Sequence, residues 1–368
     1  METLNLQNQD SILVNNQNFT VKAYGTQAAD KDLELMQVTR RALLDTDVEI
    51  DIMYCGVCHS DLHTARNDWH GSVYPVVPGH EIVGKVVRKG SKVSKFNVGD
   101  YVAVGCLVDA CLSCDNCQVD LEQYCLNGST GTYNSPDKHL GGRTMGGYTE
   151  RIVVRQEFVL KMPNNLDLAA AAPLLCAGIT TWSPLKHWNV TKGTKVAVIG
   201  LGGLGHMAIK LAKALGAEVS LFSRSENKKQ DAFKLGADKV IISTNTAEMQ
   251  SVKGKFDLII DTVPYDHDLN PYMMTLATNG TLVLVGFIGQ SKYPLHTGPM
   301  ISRRRAVAAS VIGGIKETQE MLDFCGEHNI TSEVEVIKMQ DINTAYERML
   351  VSDVQYRFVI DMASLKAE

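Results

Sequence analysis

Four cysteines, Cys111, Cys114, Cys117 and Cys125, share one short stretch with the spacing Cys-x-x-Cys-x-x-Cys-x7-Cys. Four thiolates this close can surround one tetrahedral zinc and leave it no open position. Such a site holds structure together and does no chemistry. Chemistry needs a second zinc with a vacant corner, and the chain carries donors for one. Cys58 lies in Cys55-Gly56-Val57-Cys58-His59-Ser60-Asp61-Leu62-His63. His80 and Glu81 lie in Gly79-His80-Glu81-x-x-Gly84, and Cys176 lies in Leu175-Cys176-Ala177-Gly178. Two thiolates and one imidazole leave a fourth position for water or substrate. Spacing alone leaves open whether Cys55 or Cys58 is the ligand.

A third motif points to a nucleotide. Gly200-Leu201-Gly202-Gly203-Leu204-Gly205 follows the apolar run Lys195–Ile199 and opens a helical pattern over Gly202–Leu215, with a second strand at Glu218–Phe222. In that strand–turn–helix setting the glycines let the backbone approach a pyrophosphate, whose charge meets the helix N-terminus. A site built for NAD places Asp or Glu at the end of the second strand. Here the tip reads Ser223-Arg224-Ser225, with Lys228 close behind and Glu226 the one opposing charge. A guanidinium matches phosphate geometry, and a carboxylate would repel it. The motif therefore predicts NADP(H), with Ser223, Arg224, Ser225 and Lys228 on the 2′-phosphate.

The elements that position these groups fall into two textures. A length of 368 residues implies two domains. The first half carries short alternating runs: Asp47–Ile52, Ile82–Val87 and Tyr101–Val104 read as strands. The texture changes near the Ala-rich Leu168–Ala172. Beyond it, strands at Lys195–Ile199, Glu218–Phe222, Lys239–Ile242, Phe256–Ile260, Thr281–Val285 and Ala306–Val311 alternate with helices. Six strands spaced by helices make a doubly wound parallel sheet. The tail, with Glu333–Val336 and Arg357–Ile360, is expected to fold back onto the first domain. The expected limits are 1–174 and 315–368 for the β-rich domain, with a zinc lobe at about 106–126, and 175–314 for the cofactor domain.

Composition narrows the function. The net charge is −5 without a run of like charges, and Arg303-Arg304-Arg305 reads as a solvated face, so neither nucleic acid nor a membrane surface is expected as partner. Nine cysteines, mostly at metal-ligand spacing, suit a reducing compartment. Residues 1–17 lack the pattern of a signal peptide, and no run of about 18 apolar residues occurs. The expectation is a soluble cytoplasmic protein.

Gly79-His80-Glu81-x-x-Gly84-x5-Gly90-x-x-Val93, the four-cysteine lobe, Cys176-Ala177-Gly178-Ile179-Thr180 and the glycine turn together resemble the zinc-dependent medium-chain alcohol dehydrogenases. The likeness is greatest to the cinnamyl-alcohol-dehydrogenase branch and its bacterial NADP-dependent aldehyde reductase relatives. It implies an α/β protein: a GroES-like β-rich catalytic domain and a doubly wound Rossmann cofactor domain, with the active site in the cleft between them. It implies two zincs per chain. Cys58, not Cys55, is then the ligand beside His80 and Cys176, and Glu81 sits behind or on the metal. Cys55, Cys106 and Cys325 are left as small hydrophobes. Asp61 orients the ligand histidine. Ser60 contacts the substrate oxygen, and His63 passes the proton outward, an imidazole being suited to that at neutral pH. Thr180 packs against the nicotinamide, and His59 faces the pyrophosphate. A homodimer is implied, with the 281–287 region near the sheet edge.

The function expected is interconversion of primary alcohols and aldehydes by hydride transfer with NADP(H), mainly reduction of aromatic or medium-chain aldehydes. Two rivals remain. One is an NAD-dependent polyol or secondary-alcohol dehydrogenase of the same superfamily. The other is a non-catalytic protein that binds NADP and zinc, which predicts a lost open-site ligand. Lignin-pathway members carry a bulky Trp shortly after the last structural cysteine; the matching stretch here is Leu126–Thr130, with Thr130 at that position. Trp69 is expected to line the substrate pocket instead. The 133–145 segment reads as an exposed loop.

Overall fold

The structure is a computed structural model that describes residues 17–286 and 289–367. The polar stretch over residues 1–16 and Phe287, named above, lie outside them. Two sheets organise the chain. The first has six strands, all parallel, in the spatial order Lys239–Ile242, Glu218–Ser223, Lys195–Ile199, Phe256–Asp261, Leu276–Leu284, Ala306–Ala309. Its central strand, Lys195–Ile199, is buried from Val196 to Ile199, as a strand covered on both faces requires. The chain order reverses between this strand and Phe256–Asp261. In sheets of this kind the crevice at that reversal is where a ligand sits. The turn at Gly200 and the Asp261-Thr262 pair both open onto it.

The second sheet is mixed. Its order is Val334–Lys338, Arg357–Asp361, Asp47–Val57, Ile82–Lys89, Tyr101–Val104, Leu160–Lys161, with Arg151–Arg155 also paired to Asp47–Val57. The tail does fold back: Arg357–Asp361 runs antiparallel to Asp47–Val57, with Phe358 opposite Val57 and Ile360 opposite Cys55. That register carries Arg357 one step past Val57, beside Cys58. One hydrophobic core joins the sheets, with Val83, Ala103 and Val359 of the mixed sheet packed in one cluster with Leu174, Ile179, Val196 and Val198. Among the described residues no single helix is long and apolar enough to cross a membrane.

One expectation needs correction. The strand read at 281–285 begins at Leu276 and is the penultimate strand, paired on both sides. The sheet edge is Ala306–Ala309, because those four alanine and valine residues add one more parallel strand beyond it.

Candidate metal and cofactor site

The candidate metal ligands stand where strands end and helices begin. Cys58 leaves the Asp47–Val57 strand and caps the helix His59–Ala65. Asp61, in the first turn of that helix, is fully buried and ties two segments together. One of its oxygens accepts from the Cys58 amide at 2.9 Å; the other accepts from the Gly79 amide at 2.9 Å and lies 3.0 Å from His80 Nδ1. With Nδ1 engaged by a carboxylate, the ring presents Nε2 to a metal. His80 and Glu81 precede the strand Ile82–Lys89. Gly56 passes so close to Glu81 that a Cβ there would lie 1.9 Å from Oε2, so only glycine leaves that carboxylate room. Cys176 sits at the junction of the short turn Ala172–Leu175 and the helix Ala177–His187.

Folding thus brings Cys58, His80, Glu81 and Cys176 together. One donor atom from each lies within 4.8 Å of all the others, and all four residues are buried. The two sulfurs are 3.9 Å apart, far outside disulfide length. Hydrogen bonding from Cys176 pulls the Cys58 thiol well below its usual pKa, while Cys176, bonded to Cys106 and Cys58, is pushed up. Burial works against a charge on His80, but Asp61 and Cys106 outweigh it and raise its pKa. Burial pushes Glu81 up to about 7 against the pull of Arg357. Its Oε2 is buried without a hydrogen-bond partner. Two sulfurs, a ring nitrogen and an orphaned carboxylate oxygen fit a zinc ion. Cys55 is buried outside this cluster, with its thiol turned to the Gly56 carbonyl at 3.6 Å.

The second cluster is Cys111, Cys114, Cys117 and Cys125, again within 4.8 Å of one another. Amides of Ser113 and Cys114 donate to the Cys111 sulfur at 3.5 and 3.3 Å, and the Leu126 amide donates to Cys114 at 3.3 Å. These amides pull the Cys111 thiol down to about 5. Four sulfurs steadied by backbone N–H groups fit a closed zinc.

The candidate cofactor residues of the glycine turn and of the 223–228 segment stand at the ends of the strands Lys195–Ile199 and Glu218–Ser223. Gly200 has φ +89°, and a Cβ on Gly205 would stand 2.1 Å from the Gly200 carbonyl, so the turn closes only with glycines. Leu201 and Leu204 turn their side chains toward the core, which leaves their backbone as the part facing a cofactor. Lys228 Nζ donates to the Leu201 carbonyl at 2.8 Å, and the Ser223 hydroxyl donates to the Ser225 carbonyl at 2.7 Å. Arg224 is exposed. Thr180 is buried in the first turn after Cys176, to whose carbonyl its amide donates at 2.9 Å. Burial lowers the His59 pKa against the pull of Cys58, and the Arg357 charge adds to the lowering.

Three partners escaped the sequence reading. Arg357 pairs with Glu81, and a Cβ on Gly203 would lie 2.9 Å from its Cδ, so it stands between the metal cluster and the glycine turn. Asp68 holds His63, with Oδ2 at 2.7 Å from Nδ1, and the Trp69 ring lies 5.3 Å from the His63 ring. Tyr133 lies 5.5 Å, ring to ring, from His80, so the 133–145 segment is not wholly an exposed loop. The Cys58 thiol donates to the Ser60 hydroxyl oxygen at 3.7 Å. Thr130 is buried in a short strand and lines a separate cavity that no metal-site residue borders. A Cβ on its neighbour Gly131 would lie 2.9 Å from the Ser135 hydroxyl.

With this geometry in view, comparison with known proteins is decisive. The family described as Alcohol dehydrogenase GroES-like domain matches residues 44–164, and Zinc-binding dehydrogenase matches residues 203–327. An aldehyde reductase of Escherichia coli (YahK) is 52% identical over 346 residues, covering 94% of this chain and 99% of its own. The chain belongs to the zinc-dependent medium-chain alcohol dehydrogenases. A cinnamyl alcohol dehydrogenase from Sorghum bicolor superposes with a TM-score of 0.90 at 41% identity, covering 94% of this chain and 98% of its own. The CAD of Helicobacter pylori complexed with NADP(H) does so with a TM-score of 0.88 at 43% identity, covering 94% and 99%. This alcohol dehydrogenase is therefore an enzyme whose cofactors are zinc and NADP(H) and whose reaction interconverts alcohols and aldehydes.

Proposed function

We propose that the working zinc is held by Cys58, His80 and Cys176, with Glu81 behind it, and that the enzyme acts mainly to reduce aromatic or medium-chain aldehydes. The observation that carries this is the buried Cys58–His80–Glu81–Cys176 cluster, joined through Arg357 to the glycine turn. In that place zinc supplies a Lewis acid for the substrate carbonyl oxygen, and NADPH supplies the hydride. The protein supplies position and a proton. Ser60 swings its hydroxyl from the Cys58 sulfur to the substrate oxygen and donates the proton there. His63, fixed by Asp68 and half-screened by Trp69, returns a proton from solvent. Thr180 and His59 bound the nicotinamide and pyrophosphate ends. Arg224, Ser223, Ser225 and Lys228 receive the 2′-phosphate. The other cluster, Cys111, Cys114, Cys117 and Cys125, holds the closed zinc.

The domain limits proposed are 1–174 with 315–368, and 175–314. Every strand of the parallel sheet lies inside the second range and every strand of the mixed sheet outside it, which supports the division. A homodimer formed through the Ala306–Ala309 edge is supported by the half-exposed strand and its exposed neighbours Ile301 and Val311. None of the nine cysteines is paired in a disulfide, which supports a cytoplasmic location.

The test is a panel of aromatic, medium-chain and short aldehydes assayed for NADPH oxidation, with zinc counted on the same samples. Two zincs per chain and chelator-sensitive turnover are expected. One zinc and no turnover on any aldehyde would remove the reading.

A further inference from the structure

A cavity of about 430 Å³ opens on the β-rich half, away from the metal cluster. It lies among the strands Glu34–Arg40, Leu107–Asp109 and Arg151–Arg155 and beneath the loop over residues 136–145. Its size is that of a small-molecule site. Val38, Val108, Ile152 and Val153 give it apolar walls.

Its charges do not balance. Arg40 is only 8% exposed, and its guanidinium meets neutral acceptors alone. Nε and Nη1 donate to the carbonyls of Arg151 and Met145 at 2.8 Å; Nη2 donates to the Gly146 carbonyl at 2.8 Å and the Thr149 hydroxyl at 2.6 Å. A guanidinium has five N–H groups, so one on Nη1 is left to donate. Arg143 reaches only the Asn134 carbonyl, at 3.4 Å. Among the described residues no carboxylate lies within ion-pair distance of Arg40 or Arg143. Arg41, Lys138, Arg155 and Asp109, which also line it, are held in ion pairs. Arg41 pairs with Asp47, and Arg155 holds Asp109 at 2.9 Å and Glu157 at 3.0 Å, with Lys138 also 3.7 Å from Asp109. Asp137 adds one negative charge, its Oδ1 accepting from the amides of His139 and Leu140 at 2.7 and 3.0 Å, so the lining and its ion-pair partners together keep one positive charge in excess. It does not offset the burial of Arg40, whose pKa is pulled down to about 10. A buried cation without a counter-ion is unfavourable, and an anion in this cavity would relieve it.

We propose that this cavity is a second ligand site, for a small carboxylate with an apolar body. The carboxylate meets Arg40 and Arg143, whose planar forks match it, and the apolar body lies along Val38, Ile152 and Val153. The site is separate from the catalytic zinc, so it stands or falls independently of the aldehyde reaction.

Octanoate is the probe. Calorimetric titration is run on the zinc- and NADPH-loaded enzyme and on two variants, Arg143→Gln and Leu140→Trp. Both positions lie outside the catalytic and cofactor-binding residues, and unchanged aldehyde turnover shows that the variants are folded. Octanoate should bind the parent enzyme. Arg143→Gln should weaken it by about tenfold or more, the ratio for losing one charge-assisted hydrogen bond, and Leu140→Trp, which fills the mouth, should abolish it. No binding to the parent, or equal binding to all three proteins, would overturn the proposal. So would binding of neutral octanamide to the parent as tightly as octanoate, since the cavity would then have no preference for an anion.

Discussion

Arg357, at the start of the chain's last strand, donates from Nη2 to a carboxylate oxygen of Glu81, 276 positions earlier. The strand register makes the contact: Phe358 opposite Val57 leaves Arg357 level with Cys58. The pair is buried, and the Arg357 charge holds its proton more firmly beside Glu81 despite burial. Removing the arginine strands a buried carboxylate, which costs about 3–5 kcal/mol. Arg357→Met should therefore lower stability by an amount of that order and reduce kcat/KM for NADPH by about a hundredfold or more. Arg357→Lys should recover part of both. Urea unfolding and steady-state kinetics decide the matter; a methionine variant matching the parent in both would show that the pair is idle.

The two metal clusters should separate by mutation. Cys176→Ser removes a donor from the cluster that contains His80, and Cys114→Ser removes one from the four-sulfur lobe. Each should lose one zinc per chain. The first should lose aldehyde turnover by about a thousandfold or more while keeping the unfolding midpoint close to that of the parent, since an open site serves chemistry. The second should lose stability, because a closed site holds the fold directly. Elemental analysis with turnover and unfolding on both variants gives the answer. Intact zinc and turnover after Cys176→Ser would place the catalytic metal elsewhere.

Arg224 should select between the two nicotinamide cofactors. Its side chain is exposed, and Ser223, Ser225 and Lys228 surround it, with no acid at the strand tip. Arg224→Ala removes a charge-assisted bond to a 2′-phosphate, an interaction of about 1.5–3 kcal/mol. The KM for NADPH should rise about tenfold or more, and that for NADH should hardly move. The rise should shrink at high salt, since exposed charges are screened. Equal effects on both cofactors would mean that the arginine does not read the phosphate.

Much of this was legible from sequence because it is local. Cysteine spacing and the glycine turn need only a few neighbouring residues. Lys195–Ile199, Lys239–Ile242 and Tyr101–Val104 are strands over the very limits their apolar runs suggest. Arg357 was not legible, because a strand of Arg-Phe-Val-Ile says nothing of which strand it will pair with. Tyr133 was missed for the same reason: its partner, His80, lies 53 positions away and is brought to it by how loops cross. The hairpin of Phe19–Gly25 and Glu34–Arg40 went unread because its partly buried faces mix Lys, Gln and Thr with Val.

Acid should weaken the enzyme through His206. This residue, in the helix after the glycine turn, is fully buried, stacked 4.9 Å from the Tyr356 ring, with Nε2 2.7 Å from the Ser332 hydroxyl. Burial, with Arg357 and Lys210 adding to it, pulls its pKa down to about 3. In the unfolded chain a histidine titrates near about 6.5. Between those values the unfolded chain binds a proton that the folded one refuses, so protons favour unfolding. The contribution to stability is therefore complete above about pH 6.5 and is lost as pH falls, by about 1.4 kcal/mol per unit. From pH 7 to pH 5 the parent should lose about 2 kcal/mol more than His206→Gln, which has no ring to protonate. Urea midpoints at the two pH values measure the difference. Other groups, the zinc ligands among them, also titrate, but they are common to both proteins and cancel in the comparison. Identical losses in parent and variant would mean that His206 takes up its proton in the folded state without strain.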